Sequence, residues 1–251
     1  MNKPLATRFV VVCAPRTGST MLRLLLNSHS NICAHGEVFG YPLIRGFVGL
    51  RQGENSPMLS LLQQIREEDP VRYLRDYVFL DVPCTTVGAK TLYATLENPR
   101  WKAVLDFIKR DPEIRIVHLF RENRLKRYLS QYIVAEVTKV KVVFQGDDRP
   151  LIPKVEVRPE QCLQDMESTE ADEHRFREVF RDHRVFEVTY EQILNSGSGC
   201  LDKLQCFLNV VPESLKLMTQ KLVSDDLREV IANYDEVERG LRGTRHHRYF
   251  D

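Results

Sequence analysis

The sequence has no C-x-x-C pair. Its six cysteines, at 13, 33, 84, 162, 200 and 206, follow no regular spacing, which argues against a zinc site or a disulfide scaffold and suits a reduced compartment. It also lacks an apolar run long enough to cross a bilayer, and Met1 to Arg8 is too polar for the core of a secretion signal. The expectation is a soluble, cytoplasmic protein with no transmembrane segment. Charge of one sign is missing too: 36 Lys and Arg stand against 35 Asp and Glu, a formal charge of +1. Broad adhesion to nucleic acid or to a membrane surface is therefore not expected, and partners must be found by local sites. Repeats, low-complexity tracts and a convincing linker are absent. The 251 residues are expected to form one domain, 1–251, able to bury a full core.

What is present is concentrated in Phe9-Val-Val-Val-Cys-Ala-Pro-Arg-Thr-Gly-Ser-Thr-Met-Leu-Arg-Leu-Leu-Leu26. Residues 9–13 are uncharged and mostly β-branched or aromatic, the pattern of a strand buried on both faces of a parallel sheet. Pro15 ends the strand, Gly18 permits a tight turn, and Ser19 or Thr20 can cap a helix whose inward face is Met21, Leu22, Leu25 and Leu26. A helix start with free N–H groups is an anion site, and Arg16 adds a forked cation to the loop of Arg16, Thr17, Gly18, Ser19 and Thr20. The loop lacks the lysine of a Walker A motif, because Ser19 stands in its place. Cys13 does not head a phosphatase loop either, since the cation follows it by only three positions.

Pro-Arg-Thr-Gly-Ser-Thr at 15–20 resembles the phosphosulfate-binding loop of sulfotransferases that use 3′-phosphoadenosine 5′-phosphosulfate (PAPS), in the form found in bacterial carbohydrate enzymes of the nodulation-factor and trehalose types. The resemblance implies an α/β, P-loop-like three-layer fold with a central, mainly parallel sheet flanked by helices. It implies PAPS as sulfuryl donor, a carbohydrate or other small-molecule hydroxyl as acceptor, and no metal. By the same resemblance Gly36-Glu37 supplies the general base, and Lys90, in the G-x-K segment Gly88-Ala-Lys90, faces the active site. Arg121 and Ser130, spaced as R-x8-S across a strand end and the next helix, hold the 3′-phosphate, and Arg242, Gly243 and Thr244 are a late segment able to close over it. Alternatives stand beside several of these roles. His35 is a rival base, being the side chain whose ordinary pKa suits neutral pH. Glu37 could pair with Arg16 or Arg45, Lys90 could be a solvated strand-end lysine, and the basic tail could be a disordered terminus.

The rest of the chain yields coarser expectations. Helical inserts cover about 41–80, with apolar faces at Met58–Leu62 and Tyr73–Val78, while Tyr77-Val-Phe-Leu-Asp81 has a weak Walker B look. Residues 138–160 read as an exposed loop over the site, Pro159–His183 as a long helix, Val185–Tyr190 as a strand, and Leu201–Leu208 and Leu222–Tyr234 as helices. Arg124, Lys126 and Arg127 read as a solvated basic face, and Thr189-Tyr-Glu-Gln-Ile-Leu194 as a structural helix start. Two rival functions remain: a Mg2+- and ATP-dependent phosphotransferase, and a nucleotide-binding module without catalysis. Homo-oligomerisation is left open.

Overall fold

The computed structural model describes residues 6–50, 57–80, 83–195 and 199–250. Its central strand is β1 (Thr7–Cys13), buried from Phe9 onward, which turns through a tight loop into α1 (Ser19–Asn27). β2 (Ile32–His35), α2 (Pro57–Glu68) and α3 (Pro70–Tyr73) follow, and α3 runs on as a wide π-type turn at Leu74–Val78. Next come β3 (Thr86–Leu92), α4 (Tyr93–Leu96), α5 (Lys102–Arg110) and β4 (Arg115–Phe120). Then α6 (Arg124–Tyr132) ends in a second π-type stretch at Ile133–Thr138, before the two-residue β5 (Val143–Phe144). The chain continues as α7 (Pro159–Val179), β6 (Val185–Thr189), α8 (Tyr190–Leu194) and α9 (Cys200–Phe207). It closes with β7 (Thr219–Gln220), α10 (Leu227–Val230) and α11 (Tyr234–Leu241).

Five strands form one parallel sheet in the order β2-β3-β1-β4-β6. Alternation along β1 divides the core into two layers. Val10 and Val12 point to the side covered by Leu62, Tyr73, Val104 and Phe176 from α2, α3, α5 and α7. Phe9, Val11 and Cys13 point to the other, covered by Leu22, Leu25 and Leu26 of α1 and Leu204 of α9. Helices on both faces explain why β1 carries no charge after Arg8, and each buried leucine contributes roughly 2 kcal/mol. At Gly88 a Cβ would stand 2.2 Å from the Phe9 carbonyl oxygen, so β3 reaches β1 at this register only with glycine. A third cluster joins Leu125 and Leu129 of α6 to Cys162 and Met166 of α7 and to Leu227, Val237, Leu241 and Tyr249 near the C-terminus.

Several expectations need correction. The helix expected over Leu222–Tyr234 is only α10, because Val155 bridges into it: Val155 N donates to Val230 O at 2.8 Å and Ala232 N to Val155 O at 2.9 Å. The basic tail is ordered as α11 and a final turn, with Asn123 Nδ2 donating to Tyr249 O at 3.1 Å. Tyr77 and Val78 close a helical turn and Leu80 is exposed, so no strand forms there; Asp81 lies outside the described residues. Within 138–160, Val143, Val155 and Val157 are buried, and only the part around Gln145–Arg149 is exposed throughout. Nor is the basic stretch of α6 a solvated face. Arg127 is buried, donating to Pro15 O at 3.2 Å and pairing with Asp165, and Arg124 is held between Glu173 and Tyr249.

Candidate active site

Because the sheet is parallel, the C-terminal ends of its strands share one edge, where α/β folds gather their ligands. A cavity of about 880 Å³ opens there, lined by the β1–α1 loop, Glu37, Lys90, Arg121, Ser130, Tyr190 and the chain around β5 and β7. The loop is built by two left-handed residues, Arg16 with φ +66° and Gly18 with φ +82°. Gly18 is required twice over, since a Cβ there would also lie 2.4 Å from the Tyr190 ring. The hydroxyl of Thr17 is buried and donates to Ala14 O at 3.0 Å, which shapes the loop without entering the cavity.

Neither Ser19 nor Thr20 caps α1. The helix starts with no side-chain cap and no acidic residue in its first turn, which leaves its amide dipole open to an anion. The two hydroxyls instead accept from Lys90 Nζ, at 3.0 and 3.1 Å, and the same ammonium lies 2.9 Å from Glu37 Oε1. Lys90 is thus a buried hub, 6% exposed, rather than a solvated strand-end lysine. Burial works to raise the Glu37 carboxyl, but the Lys90 ammonium, with Lys141 and Arg45 farther off, outweighs it and holds the carboxyl below its usual range. His35 does not line the cavity. Its Nδ1 accepts from Val48 N at 2.9 Å, its ring lies 4.3 Å from that of Phe47, and burial pushes its pKa down to about 4. A base needs access to its proton, so the rival role for His35 is set aside.

The second group surrounds Ser130. Arg16 Nε donates to Ser130 Oγ at 3.1 Å and Nη1 to the Lys141 carbonyl at 2.8 Å. The guanidinium of Arg16 therefore lies toward the Ser130 end, and the cation among the loop hydroxyls is Lys90, a correction to the expectation that Arg16 is the cation of the loop's anion site. Arg121, 8% exposed, lies over the Tyr190 ring at 4.8 Å, with Glu191 3.8 Å away. Its Nη1 reaches Lys126 O at only 3.4 Å, and its Nε is buried with no hydrogen-bond partner among the described residues. Burial pulls its pKa down, Tyr190 and Glu191 partly oppose this, and Arg121 in turn lowers Arg16 after burial has done so. Two crowded guanidiniums with unfilled donors fit an anionic group such as a phosphate.

Not every candidate joins the site. Arg242 is exposed and paired with Glu238 at 2.9 Å, Gly243 turns the chain after α11, and Thr244 Oγ1 donates to Leu241 O at 2.8 Å; none lines the cavity. Cys13 is buried and burial raises its thiol, which suits a core residue and not a nucleophile. Tyr190 was missed because Thr189 and Gln192 form a complete capping box, a sufficient structural reason for the segment. The signal was Tyr190 itself, an aromatic residue where a parallel strand ends. Arg45, Lys139, Lys141 and Arg149, also lining the cavity, lie in loops with no local pattern.

Residues 8–212 match the sulfotransferase family. The chain is 24% identical over 249 residues to Nodulation protein H of Rhizobium tropici, covering 97% of this chain and 92% of that protein. It is 22% identical over 249 residues to Nodulation protein H of Rhizobium meliloti (strain 1021), covering 97% and 94%. Its fold is like that of the sulfotransferase from Alicyclobacillus acidocaldarius, with a TM-score of 0.50, 16% identity and coverage of 91% and 90%. The match spans the β1–α1 loop, Glu37, Lys90 and Arg121 together, so this chain belongs to the sulfotransferase family and is an enzyme of sulfuryl transfer.

Proposed function

We propose that the protein transfers a sulfuryl group from PAPS to a hydroxyl of a carbohydrate or glycolipid. One observation carries the donor assignment: the open helix start with Lys90, and the pair Arg16 and Arg121 beside Ser130, are two cationic anchors in one cavity. The donor supplies a sulfuryl group already bonded to a good phosphate leaving group. The amides of α1, with Ser19, Thr20 and Lys90, hold the phosphosulfate, and Arg16, Arg121 and Ser130 hold the ribose 3′-phosphate. Glu37, kept ionised by Lys90, takes the acceptor proton as the new oxygen–sulfur bond forms and the sulfur–phosphate oxygen bond breaks. Lys90 sits where charge grows on the departing phosphate and stabilises it without moving. The likeness of Pro15–Thr20 and Gly36-Glu37 to carbohydrate enzymes supports the acceptor class.

Adenosine 3′,5′-bisphosphate is expected to raise the melting temperature of the wild type and not of R121A, while ATP with Mg2+ has no such effect. Radiolabelled transfer from PAPS to glycan fractions then tests the reaction. An activity strictly dependent on ATP and Mg2+ would replace this reading with phosphoryl transfer.

A further inference from the structure

We infer that the acceptor is itself an anion, a saccharide bearing a carboxylate, phosphate or sulfate group, held by cations between the Glu37 loop and the segment around β5. The inference rests on the sulfotransferase reading of the cavity and adds the charge of the second substrate.

The chain as a whole is nearly neutral, yet its cavity is lined by eight Lys and Arg and one carboxylate, Glu37. Arg16, Lys90 and Arg121 belong with the donor, and Lys221 is already paired with Asp225. Four are left over: Arg45, Lys139, Lys141 and Arg149. Among the described residues none of the four has a carboxylate within ion-pair distance, whereas Arg66, Arg100, Arg124, Arg127 and Arg177 elsewhere all do. Arg149 spends its Nε on the neutral amide of Gln220 at 2.8 Å, and Lys139 spends its Nζ on the carbonyl of Ala135.

Two of the four, Arg45 and Lys141, are close enough to Glu37 to act on its charge. Arg45 is tied to the base loop by its N–H, 3.3 Å from the Glu37 carbonyl oxygen, and Lys141 lies on the loop before β5, where its carbonyl accepts from Arg16. Both cations act on Glu37, and they do so in the wrong direction for a base: they deepen the hold of Lys90 on its carboxyl and make it a poorer proton acceptor. A neutral acceptor would leave that penalty in place. An anion held by Arg45 and Lys141 offsets both charges and lifts their share of that penalty when the acceptor arrives, the larger hold of Lys90 staying in place, so the contact that selects the acceptor also makes Glu37 a better base.

The test uses pairs of oligosaccharides identical except that a uronic acid carboxylate is free or methyl-esterified, with a second set bearing or lacking a phosphate. Transfer of labelled sulfuryl from PAPS is followed at several salt concentrations, with adenosine 3′,5′-bisphosphate binding measured in parallel. The anionic member of a pair is expected to have a kcat/KM about tenfold or more above its neutral partner, with the gap narrowing as salt rises. The double variant R45Q/K141Q, its folding checked by melting temperature, is expected to shrink the preference by about tenfold. Equal or faster sulfation of the neutral members, no transfer to any anionic member, or a preference unaltered in R45Q/K141Q would each overturn the inference. Failure of the wild type to bind the bisphosphate would instead overturn the donor assignment beneath it.

Discussion

Glu37 and Lys90 depend on one another. Lys90 is buried, and among the described residues Glu37 alone pairs with its charge while two hydroxyls accept from it, so removing the carboxylate leaves an ammonium short of its counter-charge. E37Q keeps the shape and a hydrogen-bond acceptor while losing the proton acceptor. It is expected to bind adenosine 3′,5′-bisphosphate and to lose on the order of a hundredfold or more in kcat, as removal of a general base does. Undiminished turnover would take the base role from Glu37. The depressed pKa gives a second readout: kcat/KM, which reports the free enzyme, falls as pH drops through the folded-state value, so the acid limb of that profile in the wild type is expected below the ordinary carboxylate range. Pairing Glu37 with a lysine and not with Arg16 or Arg45 was not legible in the sequence, since Lys90 follows by 53 positions and only the parallel register of β3 brings it near. The base candidate was legible only through the likeness of Gly36-Glu37 to the pattern of carbohydrate sulfotransferases, and not from any local periodicity.

Among the elements, the loop that carries Glu37 has little secondary structure of its own and is held from outside. Arg66 of α2, fully buried, donates to the carbonyls of Val38 at 3.2 Å, Gly40 at 2.7 Å and Pro42 at 2.8 Å, and lies over the Trp101 ring at 5.3 Å. R66M retains much of the apolar stem and strands three carbonyls. It is expected to cost about 3 kcal/mol in chemical denaturation and to lower kcat more than it alters bisphosphate affinity. Equal loss of both would mean that Arg66 supports the whole fold and not this loop. The helix itself was expected from its periodicity, but an arginine on that pattern reads as solvated, and nothing local says which carbonyls it will meet. By contrast β1 and α1 were legible almost to their ends, because a run with no charge and a glycine turn are decided by neighbouring residues. The helix expected over Leu222–Tyr234 failed for the opposite reason: its period is helical, yet Val155, some 70 positions earlier, claims its backbone.

For the whole molecule, buried histidines set a pH limit. His35 and His118 are 2% and 1% exposed; burial drives His35 down to about 4, and it lowers His118 as well, with Glu187 only partly opposing. A histidine whose pKa is lower when folded than when unfolded binds fewer protons in the native state, so stability rises with pH across that interval. Global stability is therefore expected to be full above about pH 6.5 and to fall toward pH 4, by up to about 1.4 kcal/mol per unit for each histidine. Denaturant melts at pH 7, 6 and 5 measure it, and a flat series would contradict the neutral, buried state of both rings. The three layers were legible through the resemblance carried by Pro15–Thr20, with the buried strand β1 and the helix α1 read directly from their residues. The cavity was not, since its walls come from loops far apart in sequence.

The turn His247–Phe250 lines no part of the cavity, yet Tyr249 grips Asn123 and Arg124, the opening residues of the helix that delivers Ser130. It works as a buttress at arm's length. A chain cut short after Gly243 should still fold its sheet but hold the nucleotide more weakly, and affinity would then be lost through a segment that lies outside the cavity wall.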